Sequence, residues 1–404
     1  MARSIPIFAQ KPQSTAESLE FRVSPPLALY IHVPWCVRKC PYCDFNSHEA
    51  AGAIPEAEYV AALITDLQSA LPLIWGRPLV SVFFGGGTPS LLSPAAVDEL
   101  LAAFRALAML SPEAEITLEA NPGTVEAEKF AGFRAAGVNR LSLGIQSFND
   151  EHLKALGRIH DVAQAKRAAQ LAGAHFESFN LDLMYGLPGQ TTEQALTDVE
   201  TALTFAPPHL SCYQLTLEPN TRFAAFPPAL PEDDLCADMQ EAIEIRLAVA
   251  GYANYETSAF ARTGHQCRHN LNYWHFGDYL GIGAGAHSKL TLHDRVLRQM
   301  RLKHPSAYLE NVRGGSPVQE TNEVAAGQLP FEFLMNALRL AAGFQPALFE
   351  ARTAQPVSRI LPQLRAAAVD GLIDIGRERI TPTPRGRRFL NVLLERFLEE
   401  DRAS

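Results

Sequence analysis

The 404 residues carry 47% hydrophobic and 20% charged side chains, an ordinary globular balance that excludes disorder as the dominant state. Thirty-five basic against 44 acidic residues give a net charge of -9, which opposes general affinity for a phosphate backbone, so nucleic acid is not an expected partner. No apolar run reaches the roughly 20 residues of a membrane-spanning helix, and MARSIPIFAQKPQSTAESLEF lacks the apolar stretch of a secretory signal, so the expected location is cytoplasmic.

Residues 1–24 read as an N-terminal extension, and the pattern that follows is an alternation. Six short β-rich runs recur: LALYIHV from Leu27, LVSVFFG from Leu79, AEITLEA from Ala114, RLSLGIQ from Arg140, FNLDLMY from Phe179 and LSCYQLTL from Leu210. Each gap leaves room for a helix. Val97, Leu100, Leu101, Phe104 and Leu107 fall on one helical face, opened by Ser93 as N-cap and Pro94 at the first helical position. Gly137 stands where the third helix should stop, and Thr191 with Gln194 predicts a capping box. Strands apolar nearly throughout, joined by crossover helices, predict a parallel sheet covered by helices and curved into a (βα)6 partial TIM-type barrel. Ligands then gather at the C-terminal ends of its strands.

Beyond Pro219 the alternation loosens, and YANYETSAF and YLGIGAGAHS read as strands or loops extending the barrel. The core is expected over 25–290 and a linker over 291–330. From Phe331 three helical stretches, a β-hairpin wing and a last helix predict a small winged-helix-like α+β domain over 331–404. Arg385, Arg387 and Arg388 fall on the proposed wing and raise DNA binding, but the acidic total and the missing basic recognition helix argue against it.

Of six cysteines, Cys36, Cys40 and Cys43 crowd together while Cys212, Cys236 and Cys267 stand alone. Spaced Cys-x3-Cys-x2-Cys just after the first strand, three soft thiolates suit a 4Fe-4S cluster with one iron left open. A zinc site completed by Asp44 or His48 is the plainer alternative. After the second strand, Gly85, Gly86 and Gly87 let backbone approach a ligand without side-chain interference. Glu119, Gln146, Arg158 and Asp182 then recur near successive strand ends, where a buried polar group needs a partner and a shared ligand would serve all four.

The thiol spacing, the motif order and the (βα)6 alternation resemble the radical S-adenosylmethionine (SAM) superfamily. The resemblance implies that SAM chelates the open iron of the cluster and is cleaved to a 5′-deoxyadenosyl radical. It further implies that Tyr42 packs near the adenine, that Gly86, Gly87 and Thr88 clamp the SAM amino group, and that Glu119, Gln146, Arg158 and Asp182 contact SAM. With Tyr30 and His32 upstream of the thiols, residues 25 to 395 resemble the oxygen-independent coproporphyrinogen dehydrogenase-like subgroup. Two departures matter. The dehydrogenases carry a further cysteine where this chain has Phe45, and the segment CRHNLNYWHF resembles the HNxxYW signature of HemW-type haem chaperones through His269, Asn270, Tyr273 and Trp274. That branch implies haem binding with His269, Tyr273 or Cys267 as axial donor, haem-accepting proteins such as cytochromes, an electron donor, and compatibility with a homodimer or a transient membrane-protein contact. The alternative is a coproporphyrinogen III dehydrogenase, which decarboxylates oxidatively in porphyrin biosynthesis.

Overall fold

All six expected strands form in a computed structural model, which describes residues 19–123 and 127–398. They are β1 (Leu27–Val33), β2 (Pro78–Gly86), β3 (Met109–Ala120), β4 (Arg140–Gln146), β5 (Ser178–Tyr185) and β6 (His209–Gln214). Their runs are apolar because both faces are covered: in β1, Leu27, Leu29, Ile31 and Val33 are buried on one face, and Ala28 and His32 on the other. The intervening helices are α1 (Glu56–Ile74), α2 (Pro94–Leu107), α3 (Phe130–Ala136), α4 (Asp150–Ala155), α5 (Val162–His175) and α6 (Thr192–Leu203). Ser93 caps α2 by accepting from the Ala96 N–H, and Val97, Leu100, Leu101 and Phe104 face the sheet. Gly137 ends α3 in the left-handed region at φ 114°, and both bonds of the Thr191–Gln194 capping box form at α6.

A further helix, α7 (Asp233–Val249), leads through β7 (Ala259–Ala261) and α8 (Arg268–Trp274) to β8 (Asp278–Ile282), β9 (His287–Thr291) and β10 (Val296–Arg301). Strand β8 is a seventh parallel strand, pairing with β1 on the side opposite β2, with Leu27 beside Asp278. The sheet turns antiparallel at both margins, through β7 on one and β9, β10 and β11 (Val318–Glu323) on the other. The stretch 291–330, expected as a linker, therefore holds two sheet strands and α9 (Pro305–Arg313). Its strand β11 is mostly exposed and has no apolar alternation to reveal it.

The chain ends in α10 (Leu329–Ala337), α11 (Pro346–Thr353), α12 (Leu361–Val369), a hairpin β12 (Ile373–Ile375) and β13 (Ile380–Pro382), α13 (Pro384–Arg388) and α14 (Leu390–Glu395). These pack on a second apolar cluster that includes Phe333, Phe344, Phe349, Leu364 and Leu393. Arg385, Arg387 and Arg388 lie not on the wing but on α13, because Thr383 caps a helix whose first residue is Pro384. Arg385 donates to Asp370 O at 3.2 Å, Arg387 to Asn254 Oδ1 at 2.7 Å, and Arg388 faces Glu241 on α7 at 3.4 Å, so all three are engaged within the chain. No described helix is long and apolar enough to cross a membrane.

Candidate functional site

The C-terminal ends of β1 to β6 open into a cavity of about 790 Å³. Its wall carries the three clustered thiols, Tyr30, Tyr42, Gly86, Gly87, Thr88, Glu119, Gln146, Arg158, Asp182, His269, Asn270, Tyr273 and Trp274. The residues expected to hold the cluster, SAM and the haem face thus border one space, Cys267 and His48 excepted, although the elements that bring them, from β1 to α8, lie more than two hundred positions apart.

The thiol loop follows β1 and is held by backbone. Gly87 N–H donates to Val33 O and Thr88 N–H to Trp35 O, each at 2.7 Å. A Cβ on Gly87 would stand 2.5 Å from Trp35 O, so this glycine admits the backbone just before Cys36 while it borders the cavity. With those donors used, the turn has carbonyl oxygen to offer an ammonium group. Asn46, three residues past Cys43, donates to Ala284 O at 3.0 Å and Lys303 O at 2.9 Å and ties the loop to the β8–β9 and β10–α9 turns. His32 Nε2 lies 2.8 Å from Asn46 O, and its Nδ1 lies 3.0 Å from Tyr30 Oη. The thiols are free, and burial pushes Cys36 and Cys43 up. Asp44 also lines the cavity, whereas His48 packs edge-on against His304.

Glu119 near the end of β3 and Gln146 at the end of β4 occupy the expected strand ends. Asp182 sits within β5, and Arg158 lies beyond α4, reaching back to donate to Asn121 Oδ1 at 2.6 Å, Gly144 O at 2.8 Å and Cys40 Sγ at 3.5 Å. Burial, and then the neighbouring Asp182, push Glu119 up to about 8, so it is a neutral acid at pH 7. Asp182 is raised by burial as well and accepts from Asn180 at 2.6 Å. Tyr42 leans on Phe223, ring centres 6.3 Å apart.

Helix α8 starts where Glu115 accepts from the N–H groups of Arg268 and His269, at 3.1 and 3.0 Å. His269 is 1% exposed, stacks on Phe83 at 4.7 Å, and has both ring nitrogens engaged, by Ser81 Oγ at 2.9 Å and Tyr273 Oη at 3.2 Å. Burial and the Arg140 charge push it down to about 3. Cys267 does not line the cavity; it is fully buried and donates to Glu115 at 3.5 Å. Trp274 lies under the Arg339 guanidinium, 4.5 Å from its ring centre, and Arg339, arriving just past α10, also reaches Glu256 at 4.0 Å.

Asn121, Arg140, Asn180, Glu256 and Arg339 belong to this wall and escaped sequence reasoning. Arg140 and Asn180 had a signal, a polar residue inside an apolar strand run. Buried atoms with no hydrogen-bond partner among the described residues include Gln146 Oε1, Arg158 Nε, Arg140 Nε, Glu256 Oε2 and Trp274 Nε1, all on cavity residues. Orphaned buried groups concentrated on one cavity are groups awaiting a polar ligand. Three free, half-buried thiols on the same wall form a donor set suited to iron and sulfur.

Residues 30–202 match the radical SAM superfamily domain and residues 325–389 the HemN C-terminal domain. The chain is 51% identical over 378 residues to the haem chaperone HemW of Escherichia coli strain K12, covering 93% of this chain and 99% of that one. It is 34% identical over 381 residues to HemW of Bacillus subtilis strain 168, covering 92% and 99%. Among solved structures, coproporphyrinogen III oxidase (HemN) from Escherichia coli, described as a radical SAM enzyme, superposes with a TM-score of 0.78 at 25% identity, covering 93% of this chain and 90% of that one. The barrel, its thiol loop, the appended C-terminal domain and the full-length likeness together place this chain in the radical SAM superfamily, in the family of the HemW haem chaperones.

Proposed function

We propose that this chain is a cytoplasmic haem chaperone that binds haem, a 4Fe-4S cluster and SAM, and passes haem to acceptor proteins such as cytochromes. The observation that carries the reading is the single cavity whose wall joins three free thiols, a set of unpaired buried polar atoms and the aromatic α8 helix. Cys36, Cys40 and Cys43 would hold the cluster. Tyr30, Tyr42, Gly86, Gly87, Thr88, Glu119, Gln146, Arg158 and Asp182 would face SAM, and His269, Asn270, Tyr273 and Trp274 would wall the haem. When bound, the cluster supplies single electrons at an iron open to SAM. The protein's own contributions are neutral Glu119 acting through hydrogen bonds, Asp182 raised by burial and held by Asn180, the Arg158 cation beside Cys40, and aromatic faces that exclude water. We take 25–290 as the core and 331–404 as the appended domain, and an electron donor and a homodimer as partners to be sought.

The likeness to HemN favours a second reading, a coproporphyrinogen dehydrogenase. Phe45 stands against it, since it presents a ring, 59% exposed, where the dehydrogenases carry a thiol. Anaerobic reconstitution followed by separate titrations with SAM, haem and coproporphyrinogen tests both. Stoichiometric haem uptake with no release of carbon dioxide from coproporphyrinogen is the expected result, and conversion to protoporphyrinogen would overturn the chaperone in favour of the enzyme.

A further inference from the structure

The donors suggested by the HNLNYW segment are committed elsewhere: both ring nitrogens of His269 are bonded, the Tyr273 hydroxyl is one of those partners, and Cys267 is sealed against Glu115. A smaller cavity of about 370 Å³ adjoins the main one, the two sharing Tyr30, Phe45, Gly86, Glu119 and Tyr273 as walls. Its far side is formed by Tyr279 and His287. The Tyr279 ring meets that of Tyr273 edge-on, centres 4.5 Å apart, and Phe45 closes the slot from the thiol loop. The slot therefore has aromatic walls and two imidazoles, of which His32 has both ring nitrogens engaged, by Tyr30 Oη at 3.0 Å and Asn46 O at 2.8 Å.

His287 opens β9 and is exposed, and neither of its ring nitrogens has a hydrogen-bond partner among the described residues. Its backbone is fixed, because it pairs with Met300 of β10 and its carbonyl runs where a side chain on residue 281 would stand, 2.1 Å from the Cβ that Gly281 lacks. Burial first, then Lys303 and Arg298, lower the proton affinity of its ring, and a neutral imidazole is the form that ligates metal. Arg298 is occupied by the Tyr279 hydroxyl at 2.7 Å and Glu332 at 2.6 Å, whereas the Lys303 ammonium has no partner among the described residues. Building on the haem-chaperone reading, we infer that His287 supplies the axial nitrogen to haem iron in the slot walled by Phe45, Tyr273 and Tyr279, with Lys303 at its rim pairing a propionate. The coordination is a single Fe–N bond formed by the imidazole lone pair, with no change of oxidation state.

The test titrates ferric haem into the cluster-loaded protein and its His287→Ala variant. Even second-shell partners of metal ligands are worth about 10- to 100-fold in metal affinity, so loss of the ligand itself lowers haem affinity at least about tenfold. The Soret band and EPR signal move away from those of an imidazole adduct, and free imidazole added to the variant restores them. Cluster content and SAM affinity stay unchanged, and Cys267→Ser keeps the wild-type haem spectrum. An unaltered spectrum in His287→Ala would overturn the assignment while leaving the chaperone reading intact. Loss of cluster or SAM in that variant, or no recovery with imidazole, would make His287 structural and also overturn it. Failure of the wild-type protein to take up haem would remove the chaperone reading and this assignment together.

Discussion

On the antiparallel flank of the sheet, Asp66 of α1 accepts from Arg301 at 3.1 Å, from the Tyr308 hydroxyl at 2.9 Å and from Gly283 N–H at 3.1 Å, with acid and guanidinium almost fully buried. Nearby, Asp278 is met by Lys289 at 3.0 Å and Arg77 at 2.8 Å, and although burial pushes it up, these cations hold it below the ordinary carboxylate range. On the cavity side of β1, the Arg140 charge offsets burial and the neighbouring Asp182 only in part, so Glu119 is pushed up to about 8, while Arg158, Arg140 and Gln146 keep unpartnered atoms. The same fold thus buries polar groups in two ways. Where the chain satisfies them itself, the charge locks strands together; where it does not, the deficit marks where a ligand belongs.

That contrast predicts two kinds of mutant. The largest effect is all-or-none: Cys36→Ala should abolish the iron-sulfur chromophore and its SAM-dependent EPR changes, because a cluster needs its three thiolates. Cys212→Ser and Cys236→Ser should keep both, since those thiols are buried away from the cavity; a full cluster in Cys36→Ala would sink the assignment. Next, Asp66→Ala leaves Arg301 buried and unpaired and should cost about 3–5 kcal/mol in urea unfolding, a loss that neither SAM nor cluster repairs. Restoration by either ligand would break the distinction between the two regions.

Third, Glu119→Gln should flatten the pH dependence of stability in the ligand-free protein. A carboxyl raised from 4.5 to about 8 on folding contributes stability that is fully present below about pH 4.5 and is lost as pH rises through about 8. Melting temperatures taken between about pH 5.5 and 8.5 should fall more steeply in the wild type than in the variant. Asp198, pushed up to about 6, retains its own decline at the lower end in both proteins. Equal slopes would show that Glu119 does not hold a proton in the folded state. Smallest of all, Glu200→Gln removes the exposed pair with Arg246 between α6 and α7, and should leave stability and cofactor content unchanged within error.

Much of this was legible before any coordinates. Parallel strands covered on both sides write themselves as apolar runs, and local signals such as Ser93–Pro94 and Thr191–Gln194 depend only on neighbours in sequence. The thiol triplet was readable for the same reason. Strand β8 was obscure because Gly281 and Gly283 dilute its apolar pattern, for a reason found only in the fold: a side chain on either would strike His287 O or His32 O. Asn121 was missed because it lies just past the end of β3, in a loop where a polar side chain is ordinary, and Arg140 because a strand buried on both faces has no alternation to say which side chains meet helices and which meet the cavity. His269 misled in the opposite direction. Its partner Ser81 lies 188 positions away, and nothing local separates a ligating histidine from a satisfied one.

Arg339 reaches the cavity from beside α10, whose Phe333 and Leu334 belong to the second apolar cluster, while Trp274 beneath it caps the barrel side. Any molecule seated against this pair is gripped by both halves of the chain at once. Ligand binding then acts as a clamp on unfolding: each tenfold rise in free ligand above its Kd adds about 1.4 kcal/mol that both halves share, so two separable melting steps in the empty protein would merge into one cooperative step in the loaded one.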